Sequence, residues 1–336
     1  MRAVHHTKNF FVALYHLFIA AGKGFSEDRV TKLSASLAYY TIFALTPLII
    51  IIISAASIFF SNRLNPGTEL FAQISTMVGT DAAKQLQGFV ENANLTGKST
   101  FGLIVGIGTL IVGATAIFIE IQDSINIIWK VKAIPKKGWK KMITNRLLSF
   151  SLIVSMGFLL LVSLVINSVV VSLGSKLGTF VSNSKIGDLI PVADDTTTLL
   201  IYVLNNVITI AAVTAVFTII FKVLPDVDLR WKSAIIGALF TALLFSLGKY
   251  LIGIYIEKGN PGSAFGAASS IIVILLWIYY TSIILYFGAE FTQAYAEKFD
   301  GGIRPSKYAV HTKITIVEEK VDVLPPQHPE ETKVND

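Results

Sequence analysis

The chain contains no cysteine and little charge. The absence of cysteine excludes a disulfide framework and a cysteine-ligated metal centre. Charged residues make up 15% of the 336 residues, whereas about 25% is typical of a soluble chain. Hydrophobic residues reach 53% and are concentrated in long runs. This composition excludes an ordinary soluble domain and predicts an all-α, polytopic transmembrane helical bundle.

Motifs that carry chemistry are also absent. The five histidines lie near the termini and outside the predicted spans, at His5, His6, His16, His311 and His328. No HExxH metal motif, GxxxxGK[ST] phosphate loop or GxSxG nucleophile elbow occurs. We therefore predict no metal, no cofactor, no ATP-driven pumping by this chain alone and no enzymatic activity.

Six apolar runs are long enough to cross a bilayer, which requires about 20 helical residues. The predicted spans are residues 35–60, 101–120, 148–173, 199–221, 233–256 and 270–290. Residues 9–21 are apolar but too short to span, and we expect them to lie at the interface or to pack as a re-entrant or cytoplasmic helix. The resulting division is an N-terminal segment (1–34), a transmembrane domain (35–292) and a largely disordered tail (293–336).

The distribution of basic residues predicts the orientation. Of the 28 Lys and Arg residues, 21 lie in the N-terminal segment, the second and fourth loops and the tail, and six lie in the other three loops. Because Lys and Arg accumulate in cytoplasmic segments, both termini are predicted to be cytoplasmic. The sequence pI of about 9.3 then indicates contact with anionic lipid headgroups rather than a specific nucleic acid. A homo-oligomer is left open.

Ionisable residues in or beside the spans are the candidates for binding or transport. Glu120, Asp123 and Asn126 follow one another at steps of three at the end of the second span. A single helix from Phe101 to Trp129 would be about 43 Å long, so Glu120 lies either within the membrane or at its cytoplasmic boundary. Two further candidates are Lys249, which can snorkel to the outer interface, and Glu290.

We expect Glu120, Asp123, Asn126 and Glu290 to line a polar pocket open to the cytoplasmic half. Hinge or packing roles are predicted for proline and small residues in and beside the spans, namely Pro47, Gly102, Gly106, Gly113 and Pro225. Roles as aromatic anchors at the membrane interface are predicted for Tyr39, Tyr40, Trp129, Trp277, Tyr279 and Tyr280.

Several of these residues belong to short motifs spaced along the chain. The motifs are Leu37-Ala38-Tyr39-Tyr40-Thr41 leading to Pro47, Glu120 with Asn126-Ile127-Ile128-Trp129, Leu224-Pro225, Gly237-Ala238, and Leu276-Trp277-Ile278-Tyr279-Tyr280 leading to Gly288-Ala289-Glu290. With these motifs, residues 20–300 resemble the YihY/BrkB family of bacterial inner-membrane proteins, often labelled ribonuclease BN. Two positions depart from the family pattern. Ala44 stands where many relatives have serine, and Phe265-Gly266 stands where Tyr-Gly is common.

The resemblance implies a multi-pass protein of the bacterial inner membrane that supports the cell envelope. Transport or flipping of a lipid or small solute is the leading interpretation. The alternative is a scaffold that does not transport and binds envelope partners through the basic loop Lys130–Lys141 and the tail. A ribonuclease is the least favoured, because a metal nuclease needs clustered acids or histidines around its metal ions.

Overall fold

The computed structural model describes residues 2–59, 100–134, 193–259 and 269–313, together with eight positions from Phe71 to Gly88. The four continuous ranges form six helices and four short strands. In chain order these are α1 (Arg2–Glu27), α2 (Val30–Phe59), α3 (Thr100–Ile128), β1 (Val131–Ala133), α4 (Ala193–Val223), β2 (Val227–Asp228), α5 (Trp231–Gly259), α6 (Ser269–Phe299), β3 (Arg304–Pro305) and β4 (Ala309–His311).

Helices α2 to α6 coincide with five of the six predicted spans, and the remaining one, residues 148–173, lies outside the described residues. Within the described chain, two segments are long and apolar enough to cross a bilayer: Trp231–Tyr255 in α5 and Ile271–Phe299 in α6. The protein is therefore mainly helical. The total of six spans and the positions of the termini stay predictions.

Helix α6 lies at the centre of the described bundle. It packs against α1, α2 and α5, while α3 packs on α2 and α4 packs on α5. Large side chains with almost no exposure fill the space between α3, α4 and α6, namely Ile125, Ile128, Phe221 and Tyr286. Because burial removes their apolar surface from water or lipid and fills the space closely, this packing fixes the C-terminal parts of the three helices relative to one another.

The crossing of α5 and α6 depends on two glycine–threonine contacts. A Cβ atom added at Gly237 would lie 2.8 Å from Thr292 Cβ, and one added at Gly288 would lie 2.8 Å from Thr241 Cγ2. Each threonine hydroxyl donates a hydrogen bond to a carbonyl four residues earlier in its own helix, at 2.7 Å. The glycines allow a close approach of the two backbones, as small residues do in other membrane helix pairs.

Helix α1 is longer than the apolar stretch 9–21 and packs on the bundle. Leu17 and Ala21 are buried against Phe291 and Ala294 of α6. The ring of Phe18 contacts Phe240 and Phe291 edge-on, with centroid separations of 5.4 and 6.0 Å. This stretch is therefore part of a helix that packs on the other helices, and its placement at the interface, in the cytoplasm or as a re-entrant segment stays a prediction.

Two short antiparallel strand pairs hold the first part of the C-terminal segment. Strand β1 pairs with β4, and β2 pairs with β3. The predicted boundary at residue 293 falls inside α6, and residues 304–311 contribute strands rather than a disordered tail. The backbone N–H of Ser306 also donates to the carbonyl of Asp226 at 3.0 Å. The described part of the tail is therefore tied to the loops that follow α3 and α4.

The residues predicted to have hinge or packing roles lie mostly inside helices. Pro47 is within α2, which is helical from Val30 to Phe59, and Gly102, Gly106 and Gly113 are within α3. Pro225 is buried in the loop between α4 and α5. A hinge role for Pro47 therefore stays a prediction.

Candidate functional site

Glu290 is a buried carboxylate in the apolar helix α6. The residue is 4% exposed, and its Oε1 atom has no hydrogen-bond partner among the described residues. It lies nine residues before Phe299, which is about 14 Å along the helix axis. A carboxylate in such surroundings is costly unless a partner compensates its charge.

The neighbours of Glu290 are supplied by α1 and by the two turns that end α1 and α3. Asp28, Lys130 and Glu27 are close enough to act electrostatically on its carboxyl group. The Lys130 ammonium group binds the Asp28 carboxylate, and Asp28 is mostly buried. We call Asp28, Lys130 and Glu290 the Glu290 site. It holds two carboxylates and one cation, with Glu27 as a further acid beside it.

Backbone geometry brings Asp28 and Lys130 together. Arg29, directly after Asp28, has a φ of 51°, and Lys130 has a φ of 55°. This left-handed region is uncommon for residues other than glycine, and it ends a helix by turning the chain away. The two turns follow α1 and α3, so the tertiary packing of these helices determines which side chains meet.

Gly24 makes room for the Glu290 carboxyl group. A Cβ atom added at Gly24 would lie 2.8 Å from Glu290 Cδ and closer still to Oε2, whereas one added at Gly22 would meet nothing within 4 Å. A side chain at position 24 would therefore displace the carboxylate or move α1 away from α6. The absence of a side chain at Gly24 is part of the site.

Replacing Gly24 by alanine should impair function without changing any ionisable group. The methyl group would displace the Glu290 carboxyl group, so we expect the activity of the variant to fall in the same direction as that of Glu290→Gln, with a smaller loss of about threefold to tenfold (about 0.7–1.4 kcal/mol). The measurement is the vesicle assay described under the proposed function. Gly22→Ala is the matched control, and equal activities of the two variants would contradict this role of Gly24.

A second polar group joins α3 to the loop before α5. Asp226, 5% exposed, accepts hydrogen bonds at Oδ2 from Asn126 Nδ2 at 2.9 Å and from Gln122 Nε2 at 3.1 Å. The backbone N–H of Asp226 donates to Asn126 Oδ1 at 2.9 Å. We call Gln122, Asn126 and Asp226 the Asp226 network. Because its donors and acceptors are matched, its geometry indicates a structural lock.

The two remaining acids of α3 lie nearer to solvent. Glu120 is half-buried, and Asp123 is exposed as a whole residue although its carboxyl group is partly buried. Partial burial of the Asp123 carboxyl group raises its pKa above the usual range, and the negative charges of Glu120 and Asp226 raise this pKa further. Asp123 lies beyond the predicted end of the second span. Because its pKa is raised, its carboxyl group is protonated more readily than that of an isolated aspartate.

The structure groups the predicted pocket residues differently from the sequence hypothesis. Asn126 belongs to the Asp226 network, whereas Glu290 is grouped with Asp28 and Lys130. Lys249 is exposed on α5. The sequence reasoning missed Asp28, Lys130 and Asp226. Only Asp226 carried a local signal, since it lies between apolar residues in the segment LPDVDL.

The aromatic anchors differ in exposure. Tyr39 and Tyr40 are exposed, as an interface position requires, and the aromatic residues Trp277, Tyr279 and Tyr280 are half-buried. Trp129, in contrast, is 3% exposed, and its indole Nε1–H donates to the carbonyl of Ala289 at 3.0 Å. The prediction of an interface anchor is therefore wrong for Trp129. This residue joins α3 to α6 next to Glu290.

The fold and the site define the class of protein: a helical membrane protein with a buried carboxylate between its helices. The chain belongs to the BrkB family, because the family model described as "Virulence factor BrkB" matches residues 21–311. This finding confirms the resemblance identified from the motifs. No solved structure matches the chain.

Curated relatives carry the name UPF0761 membrane protein. The relative from Pseudomonas paraeruginosa is 29% identical over 274 residues, which cover 79% of this chain and 59% of the relative. The relative from Aeromonas salmonicida is 28% identical over 278 residues, which cover 81% of this chain and 86% of the relative. The relative from Tolumonas auensis is 26% identical over 280 residues, which cover 81% of this chain and 82% of the relative. The chain thus spans 59% of the length of the Pseudomonas relative and most of the other two.

Proposed function

We propose that this chain is a six-span protein of the bacterial inner membrane, with both termini in the cytoplasm, that transports or flips a lipid or a small solute and thereby supports the envelope. The observation that carries the proposal is the buried Glu290 carboxylate with an unpartnered oxygen. Ionisable residues inside membrane helices commonly mark substrate or ion pathways. The excess of basic residues in the predicted inner segments supports the orientation.

The proposed role of Glu290 follows from the charges around it. The Lys130 cation already binds Asp28, so Glu290 retains the capacity to bind a proton or the cationic group of a substrate. Binding there would change the balance of charge where α1, α3 and α6 meet. Such a change provides a way to couple occupancy of the site to movement of the helices.

Neutralising Glu290 should abolish most of the activity while leaving the fold intact. We expect Glu290→Gln to lower the rate on the order of tenfold or more, because the neutral amide keeps the size of the side chain but does not exchange a proton (tenfold corresponds to about 1.4 kcal/mol). The purified chain would be reconstituted in phospholipid vesicles and assayed for flipping of a fluorescent lipid and for solute uptake.

Glu297→Gln is the matched control, since Glu297 lies in the same helix and is exposed. The variant should retain the rate of the unmodified protein. An unchanged rate for Glu290→Gln, in a protein that elutes as a single folded species, would rule out the proposed role of Glu290. No flipping or uptake by the unmodified protein would instead contradict transport by the chain.

The alternative function is a scaffold that binds envelope partners. It is favoured by two exposed basic residues of the ordered part of the tail: Arg304 lies in β3, which pairs with β2 in the loop after α4, and Lys307 lies between β3 and β4. A scaffold predicts that charge reversal at these two residues impairs the envelope while vesicle assays show no transport. We propose no catalytic activity for the chain, and a ribonuclease remains the least favoured function.

A further inference from the structure

An apolar groove runs between α4 and α5 on the outside of the described bundle. It encloses about 760 Å³, and its lining includes the small residues Ala211 and Ala215 of α4 and the larger Ile235 and Leu239 of α5. Trp231, the first residue of α5, lies at one end. The volume is in the range of ligand-binding pockets.

The hydroxyl groups in the groove are satisfied within their own helix. Thr214 donates to the carbonyl of Ile210 and Thr218 donates to the carbonyl of Thr214, each at 2.7 Å. These threonines therefore require no further polar partner in the groove. Such a lining fits a hydrocarbon chain, which offers no hydrogen bonds.

The groove is continuous with a surface suited to lipid. Beyond Leu239, the exposed leucines of α5 continue at four-residue spacing, at Leu243, Leu247 and Leu251. This spacing places them on one face of the helix. A hydrocarbon chain in the groove would thus lie beside the apolar surface that α5 exposes to the bilayer.

The end of the groove at Trp231 carries positive charge. The Lys222 ammonium group lies 5.8 Å from the centre of the Trp231 ring, and its position is held by Asp228 and the carbonyl of Leu229. Arg230 and Lys232 flank Trp231 in the chain, and both are exposed. Arg230 also forms an ion pair with Asp300 at 3.8 Å, so the three cations Lys222, Arg230 and Lys232 face two carboxylates, Asp228 and Asp300, and the end keeps a net positive charge. An apolar channel with a cationic end complements a hydrocarbon chain with an anionic headgroup.

We propose that this groove binds an anionic phospholipid, with one acyl chain between α4 and α5 and the phosphate beside Arg230 and Lys232. The assignment of the headgroup to the cytoplasmic leaflet rests on the proposed function and its orientation. The indole ring of Trp231 covers the boundary between headgroup and acyl chain, a position that suits its amphipathic character.

Native mass spectrometry of the full chain in mild detergent tests the site, with phosphatidylglycerol as the anionic probe and phosphatidylcholine as the zwitterionic one. The unmodified protein should prefer phosphatidylglycerol. The double variant Arg230→Gln/Lys232→Gln should lose roughly thirtyfold in affinity for it, since each basic residue near a membrane surface contributes about 1 kcal/mol. Ala215→Trp, which fills the groove, should lower the binding of both lipids.

Lys258→Gln is the control, because Lys258 is exposed on α5 and does not line the groove. Equal binding of the two lipids by the unmodified protein would overturn the proposal. A photo-crosslinking residue at position 215 that links to another part of this chain, and not to lipid, would also overturn it by identifying a protein occupant.

The vesicle assay separates this inference from the proposed function. Selective binding of phosphatidylglycerol without flipping or uptake would support the site and contradict transport. Flipping that persists unchanged in Ala215→Trp, together with unchanged lipid binding, would contradict the site and leave transport intact.

Discussion

Replacing Gly237 by alanine is expected to destabilise the pair of helices α5 and α6 by roughly 3 kcal/mol, the upper part of the usual range for overpacking. The added methyl group would lie 2.8 Å from Thr292 Cβ and closer to its hydroxyl oxygen. Threonine is branched at Cβ and has little freedom to move aside. The helices would have to separate, and separation would weaken the adjacent contact between Gly288 and Thr241. The measurement is the apparent midpoint of thermal unfolding in detergent, with elution as a single species as a second readout.

Gly253→Ala is the matched control in the same helix, because a Cβ atom there would meet nothing within 4 Å. Its midpoint should match or slightly exceed that of the unmodified protein, since alanine favours a helix over glycine. Combining Gly237→Ala with Thr292→Gly should recover part of the lost stability. Equal midpoints for Gly237→Ala and Gly253→Ala would show that the close approach of the two helices is not stabilising.

Removing the Asp226 side chain should cost about 3 kcal/mol. Asp226→Ala would leave the amide groups of Asn126 and Gln122 without the acceptor that each uses. Asn126 is buried, so water cannot readily replace the lost carboxylate. The loop between α4 and α5 would loosen, together with the strand pair β2–β3. Thermal unfolding and limited proteolysis of this loop are the appropriate measurements.

Asp228→Ala serves as the control, since the Asp228 side chain is exposed. This variant would lose only the ion pair with Lys222, whose N–O distance is 3.4 Å. We expect a change below about 0.5 kcal/mol for this exposed pair. The unfolding midpoint of Asp226→Asn should fall between those of Asp226→Ala and Asp228→Ala, because asparagine retains an oxygen acceptor without the charge. A midpoint for Asp226→Ala equal to that for Asp228→Ala would contradict the structural role of the network.

These two predictions concern the frame that supports the Glu290 site. Gly288 lies two residues before Glu290 in α6, and Trp129 bonds to the intervening Ala289. A shift of α6 against α5, or a loosened end of α3, would therefore move the carboxylate relative to Lys130. Glu290→Gln changes the chemistry but not this frame, so stability and activity measurements together distinguish loss of the site from loss of the fold.

The sequence by itself determined the class of protein and the positions of helices α2 to α6. Apolar runs of about 20 residues form helices because a helix satisfies its backbone hydrogen bonds internally in an apolar environment. The same reasoning singled out Glu290, since a carboxylate in an apolar run is unusual whatever the run packs against. It also identified the motifs by which the family was recognised.

The tertiary structure alone decided which polar residues meet. Asp28, Lys130 and Glu290 are far apart in the chain and occur at the ends or in the interior of three different helices, so no local spacing relates them. The same applies to Asn126 and Asp226, which are 100 residues apart. Trp129 was expected at the membrane interface because its amphipathic ring suits that position, but a carbonyl of α6 accepts its N–H inside the bundle. Hydrophobic periodicity specifies which residues can be buried, whereas the packing of helices specifies the partners that they find there.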